Sequence, residues 1–67
     1  MSQYEYVINW SGNIHTGTIE CSNNEDSKRE VKKKLKEIGV PAGKYVFVDI
    51  TKLDDAKKIV AEELWMA

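Results

Sequence analysis

Alternating apolar and polar residues open the chain between Tyr4 and Trp10. The even positions there are all large and apolar, whereas Glu5 and Asn9 stand at odd positions. Because successive side chains of a strand point to opposite faces, this pattern predicts a strand over about residues 3–10 with one buried face.

A hairpin is predicted to follow this strand, since Gly12 and Asn13 both tolerate the positive φ that a two-residue turn requires. A turn there starts a second strand and fixes its register. The expected pairs are Trp10–His15, Ile8–Gly17, Tyr6–Ile19 and Tyr4–Cys21, and the residues expected to face outward are Ile14, Thr16, Thr18 and Glu20. A three-residue loop would slip the pairing by one and reverse the second strand, which leaves that alternative open.

A helix is predicted next, ending at Ile38 with Gly39 as its left-handed terminus. Ser22, with Glu25 three residues later, fits a capping box, and Asn24 is an alternative cap. The apolar stripe that would face the sheet is narrow and consists of Val31, Leu35 and Ile38.

The last third of the chain predicts a strand over residues 45–50 and then a second helix. Val46, Val48 and Ile50 share one face of that strand. Thr51, with Asp54 three residues later, is suited to begin a helix, and Asp55 would follow in its first turn. The buried stripe expected on this helix comprises Leu53, Ala56, Val60 and Leu64, widened by Ile59.

These elements predict one α+β domain over residues 1–67, with the element order β-β-α-β-α. A right-handed crossover gives a three-stranded sheet in the order 2-1-3, with both helices on one face. The expected core is Tyr6, Ile8, Ile19, Val31, Leu35, Ile38, Val46, Val48, Ile50, Ala56, Val60 and Leu64.

Composition and charge narrow the function classes. The net charge is −1 and charged residues make up 31% of the chain, so no overall excess of either sign indicates a polyanionic or polycationic partner. The single cysteine cannot form an internal disulfide, which favours a cytoplasmic protein. No apolar run approaches the roughly 20 residues of a membrane span, so no membrane association is expected.

Catalytic and metal sites are not expected. His15 and Cys21 lie on one predicted strand, six residues and about 20 Å apart. They therefore cannot form a nucleophile–base pair or share a metal ion. The sequence predicts no enzyme activity, cofactor or metal.

Two surfaces are candidates for binding a partner. The sheet face without helices carries Val7, Tyr45 and Phe47, and Trp65 near the chain end is a typical interface anchor. Scattered exposure without a function, and a Trp65 that only covers the rim of the core, are the simpler alternatives.

The other candidate is the basic outer face of the first helix, formed by Arg29, Lys32, Lys33 and Lys36, which could contact phosphates. Its simpler alternative is a solvated surface with the pairs Glu25–Arg29, Glu30–Lys34 and Lys33–Glu37.

The leading hypothesis is a small protein–protein interaction module that uses the open sheet face or an edge strand. It could be an inhibitor or adaptor of the kind that phages and plasmids encode, or a homodimer. The alternative is a nucleic-acid-binding accessory protein that uses the basic helix face, and a structural subunit of a larger complex is a third class.

Overall fold

Two β-hairpins joined by a helix make up the fold. The computed structural model describes residues 1–54 and 58–67. Its elements are β1 (Ser2–Trp10), β2 (Asn13–Cys21), α1 (Asn24–Glu37), β3 (Tyr45–Lys52) and β4 (Lys58–Met66). The strands form one sheet in the order β2-β1-β3-β4, and every neighbouring pair is antiparallel. The helix contacts β2 most, and then β1 and β3.

The expected fold of three strands and two helices is wrong, because residues 58–66 form a strand where a second helix was expected. Strand β3 has β1 on one edge, and β4 supplies backbone partners for its other edge. Leu64, expected in the core, is 65% exposed on β4. Ala56 and Asp55 lie outside the described residues.

The first hairpin turns at Ser11 and Gly12, whose φ angles are 50° and 79°. Trp10 therefore pairs with Asn13, and the expected register is wrong by two residues. Turns with two positive φ angles favour glycine at the second central position, which Gly12 takes here. A shift of two residues keeps every side chain on its face, because strand side chains alternate.

The core lies between α1 and the inner face of the sheet. Its buried apolar residues are Tyr4, Ile8, Cys21, Val31, Leu35, Val40, Val46, Val48, Ile50 and Ala61. Tyr6, Ile19, Ile38 and Val60, all expected in the core, are only partly buried against it. Tyr4 is 1% exposed, and its hydroxyl donates a hydrogen bond to Asn24 Oδ1 at 2.9 Å. This bond satisfies the one polar atom of a buried ring and ties β1 to the start of α1.

The helix begins after Asn23, whose Oδ1 accepts a hydrogen bond from the Asp26 backbone N–H at 2.8 Å. The expected caps, Ser22 and Asn24, are therefore wrong, and Asn24 instead accepts the bond from Tyr4. Within the described part of the chain, no helix is long and apolar enough to cross a membrane.

Candidate functional site

The sheet has an outer face that points away from α1. In β3 the even residues Val46, Val48 and Ile50 are buried, so the odd residues point outward, and cross-strand pairing extends this assignment to the other strands. The register of β3 and β4 shifts between Ile50 and Thr51, so that Thr51 pairs with Ile59 and Ile59 also lies on the outer face. The outer-face residues are Gln3, Glu5, Val7, Asn9, Ile14, Thr16, Thr18, Glu20, Tyr45, Phe47, Asp49, Thr51, Ile59, Glu62, Leu64 and Met66.

Exposed apolar side chains concentrate at one end of this face. Apart from Met1, every large apolar side chain that is exposed in the described residues lies on the outer face. Five of them form what we call the outer apolar patch: Ile14, Tyr45, Phe47, Leu64 and Met66. Phe47 is 39% exposed and the other four are 63–67% exposed.

Cross-strand pairing makes Tyr45, Phe47, Leu64 and Met66 contiguous, whereas the polar Asn9 separates Ile14 from them. Asn9 pairs with both Ile14 and Phe47, and Phe47 pairs in turn with Leu64, so one row crosses all four strands. Tyr45 pairs with Met66 in the adjacent row. Directly opposed side chains have Cβ atoms about 4.5–5.5 Å apart, which is close enough to form one surface.

Apart from Val7 and Ile59, the rest of the outer face is polar or acidic. Its charged residues are Glu5, Glu20, Asp49 and Glu62, and none of the outer-face residues is Lys or Arg. Asp49 lies inside β3, a central strand, directly opposite Glu62 of β4. Like charges in directly opposed positions destabilise a sheet. No salt bridge reaches either carboxylate from the described residues.

The residues predicted for partner binding separate onto two faces. Val7, Tyr45 and Phe47 lie on the outer face, where Val7 is half-buried and pairs with Asp49. Trp65 pairs with Val46 and therefore lies on the inner face, partly buried beside the core. Sequence reasoning gave no binding role to Ile14, Leu64 or Met66, although Ile14 was expected to face outward.

Trp65 lines an open cleft between α1 and β4. The cleft has a volume of about 500 Å³ and is lined by Glu25, Lys28, Arg29, Lys32 and residues 63–66. The Lys32 ammonium lies 5.6 Å from the centroid of the Trp65 ring, within reach of a cation–π interaction. The indole N–H donates a hydrogen bond to Glu63 Oε1 at 2.9 Å. One face of the ring is therefore covered by the protein's own lysine.

The basic residues of α1 are largely engaged within the helix. Arg29 pairs with Asp26 at 2.8 Å, and Lys33 pairs with Glu30 at 3.2 Å. The third pair joins Lys34 to Glu37, whose hydrogen bonding and charge raise the pKa of Lys34. All three pairs have a spacing of three residues, so the expected pairs Glu25–Arg29, Glu30–Lys34 and Lys33–Glu37 are wrong. Lys36 makes no ion pair with the described residues.

The thiol of Cys21 is buried at the end of β2. Burial raises its pKa, and the charges of Glu30 and Asp26 raise it further. A raised pKa keeps the thiol neutral and weakly nucleophilic at pH 7. Among residues 1–54 and 58–67, no group of three or more His, Cys, Asp or Glu side chains could hold a metal ion.

Comparison with protein-family models, with curated proteins and with solved structures finds no match to this chain. The outer face carries all the exposed large apolar side chains of the described residues except Met1.

Proposed function

We propose that this chain is a non-catalytic protein-binding module and that a protein partner docks on its outer face. The observation that supports this most is the continuity of the outer apolar patch across β3 and β4, where Phe47 lies opposite Leu64 and Tyr45 lies opposite Met66. Contiguous exposed apolar surface with a polar rim is typical of protein interaction sites. Aromatic residues and methionine, here Tyr45, Phe47 and Met66, are enriched in interface centres.

The patch is large enough to matter for affinity. Full burial of one large apolar side chain contributes about 1.5–3 kcal/mol. With 39% of Phe47 and 63–67% of each of the other four residues still exposed, covering all five would contribute on the order of 4–9 kcal/mol. Association itself costs about 4–15 kcal/mol. The patch thus supplies much of the driving force for binding, and further contacts must add to it.

A nucleic-acid partner is less well supported than a protein. The carboxylates of the outer face would repel phosphates, which argues against that face as a nucleic-acid surface. On α1, Arg29 and Lys33 are already paired with carboxylates, and Lys32 lies over Trp65 and covers the ring on which a base could stack. The nucleic-acid hypothesis stays a prediction that an oligonucleotide titration can test.

The test uses a displayed library of random peptides, selected on the wild-type protein immobilised through its N-terminus. Recovered peptides are then measured in solution against the wild type and against the variant Phe47→Thr/Leu64→Thr. Threonine removes apolar area but keeps a high strand propensity, so the fold should persist. Circular dichroism and thermal melts verify that it does.

The matched control is Ile59→Thr, on the same face and in the same strand as Leu64. Ile59 is 67% exposed, but it stands two rows away from Phe47, at about 14 Å. We expect the patch variant to weaken binding more than tenfold and the control to change it less than threefold. Peptides that bind the patch variant as tightly as the wild type would contradict the proposal.

A further inference from the structure

We infer that the partner carries Lys or Arg side chains beside its apolar anchors, placed to reach Asp49 and Glu62. This inference rests on the proposed function, because it describes what docks on the outer face. The outer face carries carboxylates in addition to the outer apolar patch, and an apolar partner alone would leave these charges without a counterpart.

Asp49 and Glu62 are costly in the free protein. Aspartate is depleted in strands, yet Asp49 is half-buried in a central strand. Its opposed neighbour on one side is Val7 and on the other Glu62, another carboxylate. Glu5 adds a third negative charge from the next row, opposite Thr51. A cation brought by a partner would convert this repulsion into attraction.

Most of the cationic residues that the structure describes lie on the other side of the sheet. Lys28, Arg29, Lys32, Lys33, Lys34 and Lys36 are all on α1. Lys52 pairs with Tyr4 and so lies on the inner face. The outer face is thus acidic and apolar, which complements a partner that is basic and apolar.

The row geometry sets the spacing that such a partner needs. Phe47 and Asp49 are two residues apart in β3, and Leu64 and Glu62 are two apart in β4, so the apolar row and the carboxylate row are about 7 Å apart. An extended partner spans this distance between residues i and i+2. A helical partner spans it between residues i and i+3 or i+4. The basic residue should therefore follow or precede an apolar anchor at one of these spacings.

A second copy of the chain does not have the required chemistry. Stacked over the whole outer face, it would add its own four carboxylates to those already present. Docked through α1, it would present the exposed Arg29, Lys32, Lys33 and Lys36, with no apolar side chain among them to cover the patch. A different protein, with apolar and basic residues on one surface, would complement both the outer apolar patch and the carboxylates beside it.

The experiment measures the selected peptides against four proteins by fluorescence anisotropy, at 50 and 300 mM NaCl with EDTA present. These are the wild type, the patch variant Phe47→Thr/Leu64→Thr, the carboxamide variant Asp49→Asn/Glu62→Gln, and the control Glu20→Gln at the far end of the face. Glu62→Gln alone, on the edge strand, serves as a milder version of the carboxamide variant. Thermal melts accompany each titration.

We expect the peptides to be enriched in Lys or Arg at the spacings given above. The carboxamide variant should bind them about tenfold more weakly at 50 mM NaCl, as expected for losing two partly exposed ion pairs. The deficit should shrink at 300 mM, because salt screens exposed charges. The same variant should melt at a higher temperature than the wild type, which a merely structural role for the carboxylates would not produce.

The outcomes separate this inference from the function on which it rests. Binding that requires Phe47 and Leu64, but is unchanged in the carboxamide variant, would overturn the basic partner and leave the protein-binding function standing. Binding unaffected by the patch variant would overturn both. Sedimentation of the free protein as a dimer that the patch variant dissociates would assign the face to a second copy and overturn the inference.

Discussion

Replacing Gly17 by alanine tests the packing of the first hairpin. Gly17 lies opposite Tyr6, whose ring crosses the space above it. A Cβ at position 17 would be 2.6 Å from the Tyr6 Oη, 2.8 Å from its Cζ and 2.9 Å from its Cε2. Since real Cβ contacts are longer than this, the ring of Tyr6 must move.

The expected cost follows from two opposed effects. Overpacking a site by a methyl group costs about 1–3 kcal/mol. Alanine in a strand is better than glycine by about 0.5–1 kcal/mol, because it loses less backbone entropy on folding. Tyr6 is half-buried and its ring end can move toward solvent, so we expect an overpacking cost in the lower part of that range, about 1–2 kcal/mol, and a net loss of up to about 1.5 kcal/mol. For a domain of this size a loss of about 1.5 kcal/mol lowers the melting temperature by about 6–12 °C.

A double-mutant cycle makes this prediction specific to the Tyr6–Gly17 contact. Urea unfolding followed by circular dichroism gives the free energy of unfolding for the wild type, Gly17→Ala, Tyr6→Ala and the double variant. In the Tyr6→Ala background the clash is absent, so Gly17→Ala should be neutral or stabilising. If Gly17→Ala has the same effect in both backgrounds, the ring of Tyr6 does not occupy the space above Gly17.

Two further predictions concern the ends of α1 and β2. Asn23→Ala removes the side-chain acceptor of the Asp26 N–H and should lower the free energy of unfolding by about 1 kcal/mol in urea titrations. The control Ser22→Ala changes the neighbouring residue, which is not the cap, and should alter the free energy of unfolding little. Equal effects of the two variants would contradict Asn23 as the N-cap. Burial raises the pKa of Cys21 in the folded state, so its contribution to stability is fully present below the unfolded pKa of about 8.5 and is lost as pH rises above it. Between pH 7 and 9.5 the wild type should therefore lose more stability than Cys21→Ala, whereas parallel pH curves would show that burial leaves this thiol unperturbed.

The local alternation of apolar and polar residues correctly predicted which side chains of the first three strands point toward the core and which point away from it. Alternation assigned Ile8 and Val48 to the inner side and Val7 and Phe47 to the outer side, and the structure has them there. The error in the turn, at Ser11 and Gly12 where Gly12 and Asn13 were expected, moved the register by two residues. A displacement by an even number leaves the faces unchanged, which is why the assignment survived.

The last strand could not be predicted from its own residues. Leu53, Ala56, Val60 and Leu64 recur at helical spacing, and Ala, Leu and Glu are strong helix formers. The same stretch read with a period of two places Ala61 inward and Leu64 outward, as observed. What decides between the readings is the unpaired edge of β3, a non-local requirement that propensity does not contain.

The same error hid part of the candidate site. With residues 58–66 read as a helix, Leu64 was assigned to the core and Trp65 to an interface. As a strand, the stretch turns Leu64 and Met66 outward beside Phe47 and Tyr45, and Trp65 inward beneath Lys32. The signal that could have found this was the exposed odd face of β3, whose Tyr45 and Phe47 have apolar neighbours only if a strand follows.

The pairing of β1 with β3 has a kinetic consequence. Each hairpin closes between residues near in sequence, but the seam between them joins partners 38 to 48 residues apart, from Asn9–Phe47 to Tyr4–Lys52. The chain between these partners must lose entropy by closing into a loop before the contacts of β1 with β3 can form. We therefore expect docking of two preformed hairpins to limit the folding rate. Substitutions along the seam should then slow refolding, whereas those on the edge strands should mainly hasten unfolding.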